Sequence, residues 1–350
     1  MSQALEFAHV GSTYNELEEK GHWFEGVMTT VALQDFYKEQ LNREETEVVF
    51  KGEFEIVVAN PADMGPKEGI RVTHLELPGE YGRLEARISR EGRSYLFSTS
   101  NVLTFEVENR GWRPENVVID GQKMDVSGSY GLHNNASVGF TKMEDGSWKI
   151  TDIPLVPHGS PYRTEKQLGA MDAILATDGP FLIVSTTEEA VDTALQISRN
   201  MYQYFYADSM LFTVGAEAQD IRQSTSGSRI TLVVGDSDIL SHVDSFPVQI
   251  SSNGISVRDP KGYCHDYSSR GGVAAIFLRP QEGESLELVV WGVDAESLEL
   301  AARLVPMMTG AGQPDFVVLN RSSAWKGVEG ALAMGFFDHA WNVSGNSVLT

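Results

Sequence analysis

The segment Gly21-His22-Trp23-Phe24 combines an imidazole with two aromatic rings. A histidine titrates near neutral pH, so His22 is predicted to be catalytic, as a general base or a hydrogen-bond donor. Trp23 and Phe24 would then form the apolar walls of a pocket. The alternative is structural, with His22 packing against aromatic rings elsewhere in the chain.

A second aromatic group lies near the C-terminus, where Phe336, Phe337 and Trp341 surround Asp338. Such rings form either a protein core or a pocket between domains, where ligands preferentially bind. The pocket interpretation predicts substrate-binding roles for Trp23, Phe24, Trp325, Phe337, Asp338 and Trp341. Asp338-His339 and His265-Asp266 are adjacent pairs, and adjacent strand residues point to opposite faces, so neither pair is expected to act as a dyad.

Serine hydrolase chemistry requires a nucleophile next to a base, and its usual sequence signature is Gly-x-Ser-x-Gly. No such pentapeptide occurs in the chain. Gly128-Ser-Tyr-Gly131 contains a serine between glycines but lacks the spacing. The chain by itself is therefore not expected to be a self-sufficient serine hydrolase.

Metal and cofactor sites are not expected. The eight histidines show no His-x-x-x-His spacing, and Cys264 is the single cysteine, so neither a thiolate cluster nor an intrachain disulfide can form. After the apolar strand Phe181–Val184, the sequence Ser185-Thr-Thr-Glu-Glu carries carboxylates where a nucleotide-binding domain would have glycines.

The charge balance limits the partners. The chain has 27 Lys plus Arg against 49 Asp plus Glu, a net charge of −22. A field of this sign repels nucleic acid and anionic membrane surfaces, and no apolar run is long enough to span a bilayer. The expected partner is a small-molecule substrate, and a homo-oligomer is an open possibility.

The hydrophobic pattern changes along the 350 residues. Residues 1–45 contain a loop and a predicted helix with Val31, Phe36 and Leu41 on one face. Residues 46–158 show many short alternating runs separated by turn residues, which is typical of a β-sandwich. Residues 159–350 alternate apolar strands with amphipathic helices, which predicts an α/β domain with a mostly parallel sheet. The predicted helices there run through Ala190–Phe205 and from Ala295 to about Met308.

Three triplets match the N-glycosylation signal, at Asn135, Asn320 and Asn342. They favour the secretory pathway or the extracellular space. The first residues, Met1 to Glu6, show no signal peptide pattern.

The segment Glu16 to Gly26, with Gly21-His22-Trp23-Phe24 at its centre, resembles the catalytic-histidine loop of secreted prolyl-oligopeptidase-like and polyhydroxybutyrate-depolymerase-like α/β-hydrolases. Asn60-Pro-Ala-Asp-Met64, Gly179–Val184, Pro314–Val318 and Gly335–Asn342 resemble segments that follow this loop in large members. The resemblance implies that residues 1–45 are a hydrolase remnant and that the half carrying the nucleophile is missing.

Three functions remain open. The first is a cofactor-independent cyclase, such as a hetero-Diels–Alderase of fungal secondary metabolism, which would orient an apolar polyketide- or terpene-like substrate between domains. Such orientation can supply about 7–11 kcal/mol without covalent chemistry. The second is a non-catalytic module that binds carbohydrate or an apolar ligand. The third is a residual esterase or peptidase that is completed by a partner carrying the serine.

Overall fold

The structure is a computed structural model that describes residues 17, 19–21, 24–42, 52–89, 94–108, 116–126, 137–151, 163–164, 167–176, 181–213, 227–235, 246–251, 254–268, 271–281, 284–305 and 314–350. The chain divides into two compact units, Met1–Lys51 and Gly52–Thr350. The predicted boundaries at residues 45/46 and 158/159 lie outside the described residues and stay predictions.

The first unit contains a 3₁₀ turn at Val27–Thr29 and helix α1 at Val31–Leu41. The predicted helix is therefore confirmed. Its apolar positions are not buried, since Val31 and Leu41 are 74% and 84% exposed.

The described residues at the start of the second unit form nine short strands, which confirms the prediction of a strand-rich region. They are β1 Glu53–Val58, β2 Ile70–His74, β3 Gly82–Ile88, β4 Ser94–Ser100, β5 Thr104–Val107, β6 Asn116–Ile119, β7 Gln122–Met124, β8 Val138–Lys142 and β9 Trp148–Thr151. One sheet has the order β1-β3-β4-β6-β7, and the other has the order β2-β5-β8-β9.

The core of this region follows from alternation along the strands. In β3 every second residue is buried, because successive side chains of a strand point to opposite faces. Phe97 of the first sheet meets Phe105 of the second at a ring distance of 5.1 Å. Phe140 and Trp148 extend this aromatic cluster within the second sheet, so the two sheets pack on each other through their aromatic faces.

In the described part of the remaining chain, the strands form an eight-stranded sheet and a three-stranded sheet. The strands and helices there are β10 Phe181–Ser185, α2 Val191–Phe205, β11 Ser209–Thr213, β12 Arg229–Val234, β13 Val248–Ser251, β14 Gly254–Arg258, β15 Cys264–Ser268, β16 Val273–Pro280, β17 Leu286–Gly292, α3 Ala295–Ala302, β18 Phe316–Asn320, α4 Ser323–Lys326, β19 Ala331–Gly335 and β20 Val348–Leu349. The large sheet has the order β11-β10-β12-β17-β16-β18-β19-β20, and β13-β14-β15 form the small one.

The predicted mostly parallel sheet is corrected by the strand pairing. Among the described strands, β11, β10, β12 and β17 pair in parallel, whereas β17, β16, β18, β19 and β20 pair antiparallel. The reason lies in the connections. A helix between β10 and β11 allows a parallel crossover, but the five residues between Pro280 and Leu286 are too few for one, so β16 and β17 are antiparallel. The fold is thus β-rich with a mixed sheet.

Helices cover this sheet as the periodicity predicted, with one difference in length. Helix α2 buries Ala194, Ile197 and Met201. Helix α3 ends at Ala302 instead of near Met308, and the Asp294 side chain caps its start by accepting from Ser297 N. None of the described helices combines the length and apolarity needed to cross a membrane.

Candidate functional site

The buried side chain of Arg163 connects segments at the junction between the short-strand region (β1–β9) and the large sheet. Arg163 donates to both carboxylate oxygens of Asp315 at 2.9 and 3.0 Å. Its guanidinium also donates to the backbone carbonyls of Gln167, Gly169 and Phe337. With its side chain only 3% exposed, Arg163 joins three segments that are distant in sequence.

Aromatic rings cover the ion pair. The guanidinium carbon of Arg163 lies 4.5 Å from the Trp341 ring centroid, which is a cation–π contact. Phe337 stacks on Phe316 at 5.3 Å and lies next to Trp341. The rings exclude water from the charged pair and hold the C-terminal segment against the sheet.

His74, the last residue of β2, connects the β2-β5-β8-β9 sheet to Arg163. Its Nδ1 lies 2.8 Å from Thr104 Oγ1, and its ring also bonds to the backbone carbonyl of Arg163. Burial, followed by the positive charges of His339 and Arg163, lowers the pKa of His74 from 6.5 to about 4. The ring is therefore neutral at neutral pH, with one nitrogen donating and the other accepting.

A cavity of about 160 Å³ opens beside these residues. One wall is the turn from Leu75 to Tyr81. Asn101 fixes this turn, because its side chain bonds to the backbone of Leu77 and Glu80. Gly79 has φ +88° and lies against the ring of Phe336, where a Cβ atom would overlap that ring.

Another wall is formed by the turn after β19. Asp338 accepts from the backbone N–H groups of Ala340 and Asn342 at 2.8 and 2.9 Å, which places Trp341 in the left-handed region at φ 62°. His339 is exposed at the rim of the cavity. The Asp338 carboxylate thus shapes the wall, to which the exposed residue His339 also belongs.

The lining combines apolar surface with a few polar groups. Among the described residues that line it there is no serine, threonine, cysteine or lysine: Ala59, Asn60, Pro61, His74, Leu75, Pro78, Gly79, Glu80, Tyr81, Arg163, Leu168, Gly169, Ala170, Phe336, Phe337, Asp338 and His339. The described part of these walls therefore offers no acyl-transfer nucleophile.

The structure places the residues predicted from the sequence in different environments. Phe337, Asp338 and Trp341 come together around Arg163, but both aromatic rings are buried in the core. Trp325 lies on α4 and is 75% exposed. Phe24 belongs to the first unit, where the Lys20 ammonium lies 5.5 Å from its ring.

His22 and Trp23 lie outside the described residues, so the predicted catalytic role of His22 stays a prediction.

Sequence reasoning missed the residues that hold the site together: His74, Arg163 and Asp315. The sequence offered one clue to Asp315, because this residue directly precedes the apolar strand Phe316–Leu319. In the structure Asp315 is fully buried. A carboxylate at such a position needs a buried cation or several hydrogen-bond donors. Nothing near Arg163 in sequence pointed to it as that cation.

A second buried charge cluster has a structural role. Glu287 lies between Arg229 and Arg279 on the neighbouring strands, with Arg279 Nε at 2.9 Å and Arg229 Nε at 3.5 Å. Thr231 and Gln281 also donate to its carboxylate. Because Glu287 is fully buried with these partners, it fixes the register of three strands.

Metal binding has no support in the described ranges, where no group of three or more His, Cys, Asp or Glu side chains could hold an ion.

Comparison with known proteins identifies a fungal relative. No protein-family model matches the chain. The chain is 31% identical over 360 aligned residues to an uncharacterized secreted protein of Arthroderma benhamiae (strain ATCC MYA-4681 / CBS 112371). The alignment covers all of this chain but 37% of that protein, so the chain spans little more than a third of the relative's length.

Proposed function

We propose that this chain is secreted and acts as a ligand-binding module, and that its cavity takes one small hydroxylated ring such as a terminal sugar residue. The secreted relative supports the proposed location, since its similarity extends over the whole chain. The cavity beside Arg163, with its mixed polar and apolar lining, carries the proposed activity.

Cavity size favours this ligand class over a larger one. Pockets for drug-sized ligands measure roughly 300–1,000 Å³. At about 160 Å³ the cavity is smaller than that range, so it fits a single ring better than a polyketide or terpene skeleton.

The lining chemistry suits a sugar ring. Phe336 and Tyr81 offer aromatic surface for the C–H face of a ring, while Glu80, Tyr81 and His339 offer polar groups for its hydroxyls. Asn60 is less suited, because its amide already bonds to Ala62 N and to Asp63.

The binding test is ligand-observed NMR with a panel of neutral and acidic mono- and disaccharides. We expect saturation transfer from the protein to at least one sugar, and several-fold weaker binding in the Tyr81→Ala and Glu80→Gln variants. Tyr263→Ala is the matched control, since Tyr263 is similarly exposed but belongs to the β14–β15 turn. Equal binding by wild type and Tyr81→Ala, or no binding to any sugar, would reject the proposal.

The cyclase hypothesis and the hydrolase resemblance stay predictions, since both depend on His22. If His22 polarises a substrate, His22→Ala should weaken cyclisation without abolishing it, and unchanged turnover would remove His22 from that reaction. Hydrolysis of a chromogenic ester by the purified chain would instead support a residual esterase.

A further inference from the structure

We propose that Asn342 carries an N-linked glycan and that Asn320 does not. This inference rests on the proposed secretion of the chain, because the modification takes place in the secretory pathway. It does not depend on sugar binding in the cavity. The two acceptor triplets are identical in type, Asn-x-Ser, but the structure uses their side chains differently.

Asn342 lies exposed in the turn that follows β19. Its backbone N–H donates to Asp338 Oδ1 at 2.9 Å, so the position of the residue is fixed by its main chain. Its Nδ2 lies 3.4 Å from Asp338 Oδ2, a long and therefore weak contact. A glycan replaces one of the two Nδ2 hydrogens, and the other can keep this contact.

Ser344, the third residue of this triplet, has no structural reason to be a serine. It is 4% exposed, and within the described part of the chain its Oγ has no hydrogen-bond partner. A buried hydroxyl without a partner destabilises the folded state, and an alanine would occupy almost the same space without this cost. An acceptor triplet requires a hydroxyl at this position before the chain folds, and this requirement accounts for Ser344.

Asn320 shows the opposite pattern. It is the last residue of β18 and half-buried, and its Oδ1 accepts from Ser322 N at 2.8 Å and from Ser322 Oγ at 2.5 Å. Both side chains are thus used to form the turn after the strand. The turn explains this triplet without any modification.

The test is peptide mass spectrometry on the chain secreted from a yeast host behind the host's own secretion signal. We expect a glycan on nearly all copies of the Asn342 peptide and none on the Asn320 peptide. Asn342→Gln and Ser344→Ala should each remove the Asn342 glycan. Ser322→Ala should leave it in place. An unmodified Asn342 peptide in the secreted wild-type chain would overturn the proposal.

A second measurement separates the acceptor role of Ser344 from a structural one. In chain made in a bacterial host, which adds no such glycan, Ser344→Ala should keep or raise the thermal midpoint. Ser322→Ala should lower it, because it removes a hydrogen bond of the turn. A lowered midpoint for Ser344→Ala would show that the hydroxyl has a structural partner and would remove the argument for the glycan. Failure of sugar binding would leave both measurements unaffected.

Discussion

Arg163 and Asp315 form a bidentate ion pair between residues 152 positions apart, and both side chains are almost completely removed from solvent. Asp315 also accepts from Phe337 N at 2.7 Å. The pair therefore fixes Arg163 and its partners Gln167 and Gly169, together with the turn after β19, to the start of β18. The walls of the cavity depend on this arrangement.

The Asp315→Asn substitution should leave the guanidinium of Arg163 buried without its counter-charge. Breaking one partner of a buried pair costs about 3–5 kcal/mol, so we expect a loss of this size in the free energy of unfolding, measured in urea. Glu296→Gln is the matched control. Its carboxylate pairs with Arg321 but is 73% exposed, and such pairs contribute less than about 1 kcal/mol. Similar losses for both variants would contradict the structural role of the buried pair.

Stability should fall in mildly acidic solution because of His74. Its pKa is about 4 in the folded chain and 6.5 in the unfolded chain, so only the unfolded state takes up the proton between these values. The stabilisation is complete above pH 6.5 and is lost as the pH falls towards 4. A difference of this size corresponds to about 3 kcal/mol.

Urea unfolding at pH 7.5 and pH 4.5 checks this prediction. His74→Gln should be less stable at pH 7.5 but should lose less between the two values than the wild type. A His74→Gln variant with the same pH dependence as the wild type would assign the acid sensitivity to other groups.

Gly79→Ala should close the cavity as well as strain the backbone. At φ +88° any side chain is disfavoured, and the added Cβ must displace the Phe336 ring. Gly146→Ala isolates the backbone cost, because Gly146 has φ +80° with no atom within 4 Å of the new Cβ. We expect Gly146→Ala to lower the free energy of unfolding by about 1–2 kcal/mol and Gly79→Ala to lower it by more. Only Gly79→Ala should abolish sugar binding. Sugar binding that persists in Gly79→Ala would place the ligand elsewhere.

The two tryptophans predicted to bind substrate should differ strongly in their effect on stability. Trp341→Ala removes a ring that packs on Arg163 and Phe337, and a loss of about 3–5 kcal/mol is expected. Trp325→Ala should change the free energy of unfolding by no more than about 0.5 kcal/mol, since its ring is 75% exposed. Thermal denaturation of the two variants provides the comparison. A large loss for Trp325→Ala would show that its ring is covered in solution.

Local periodicity predicted several elements close to their observed positions. The spacing of Ala190, Leu195, Ile197, Met201 and Phe205 predicted α2, although Leu195 proves to be exposed, and the apolar run at Phe316 predicted β18. The three-stranded sheet β13-β14-β15 was missed. Its strands are short, and two of them carry few apolar residues, as in Cys264-His-Asp-Tyr-Ser268.

Strand direction could not be predicted from the strands themselves. A fully buried strand such as β16 has the same apolar pattern in a parallel and in an antiparallel sheet. The length of the connection decides the direction, and only five residues separate β16 from β17, too few for a parallel crossover.

By itself, the sequence determined the abundance of strands, the helices on the large sheet, and the lack of a Gly-x-Ser-x-Gly nucleophile. These properties follow from residue type and spacing within a few positions of each other. Only the tertiary structure decided that the sheet is mixed, that Phe337 and Trp341 are buried, and that Arg163 holds Asp315. Such contacts join residues that are far apart in sequence. They are stable because the residues exclude water from one another when they pack together, and a short stretch of sequence does not show which distant residues will do so.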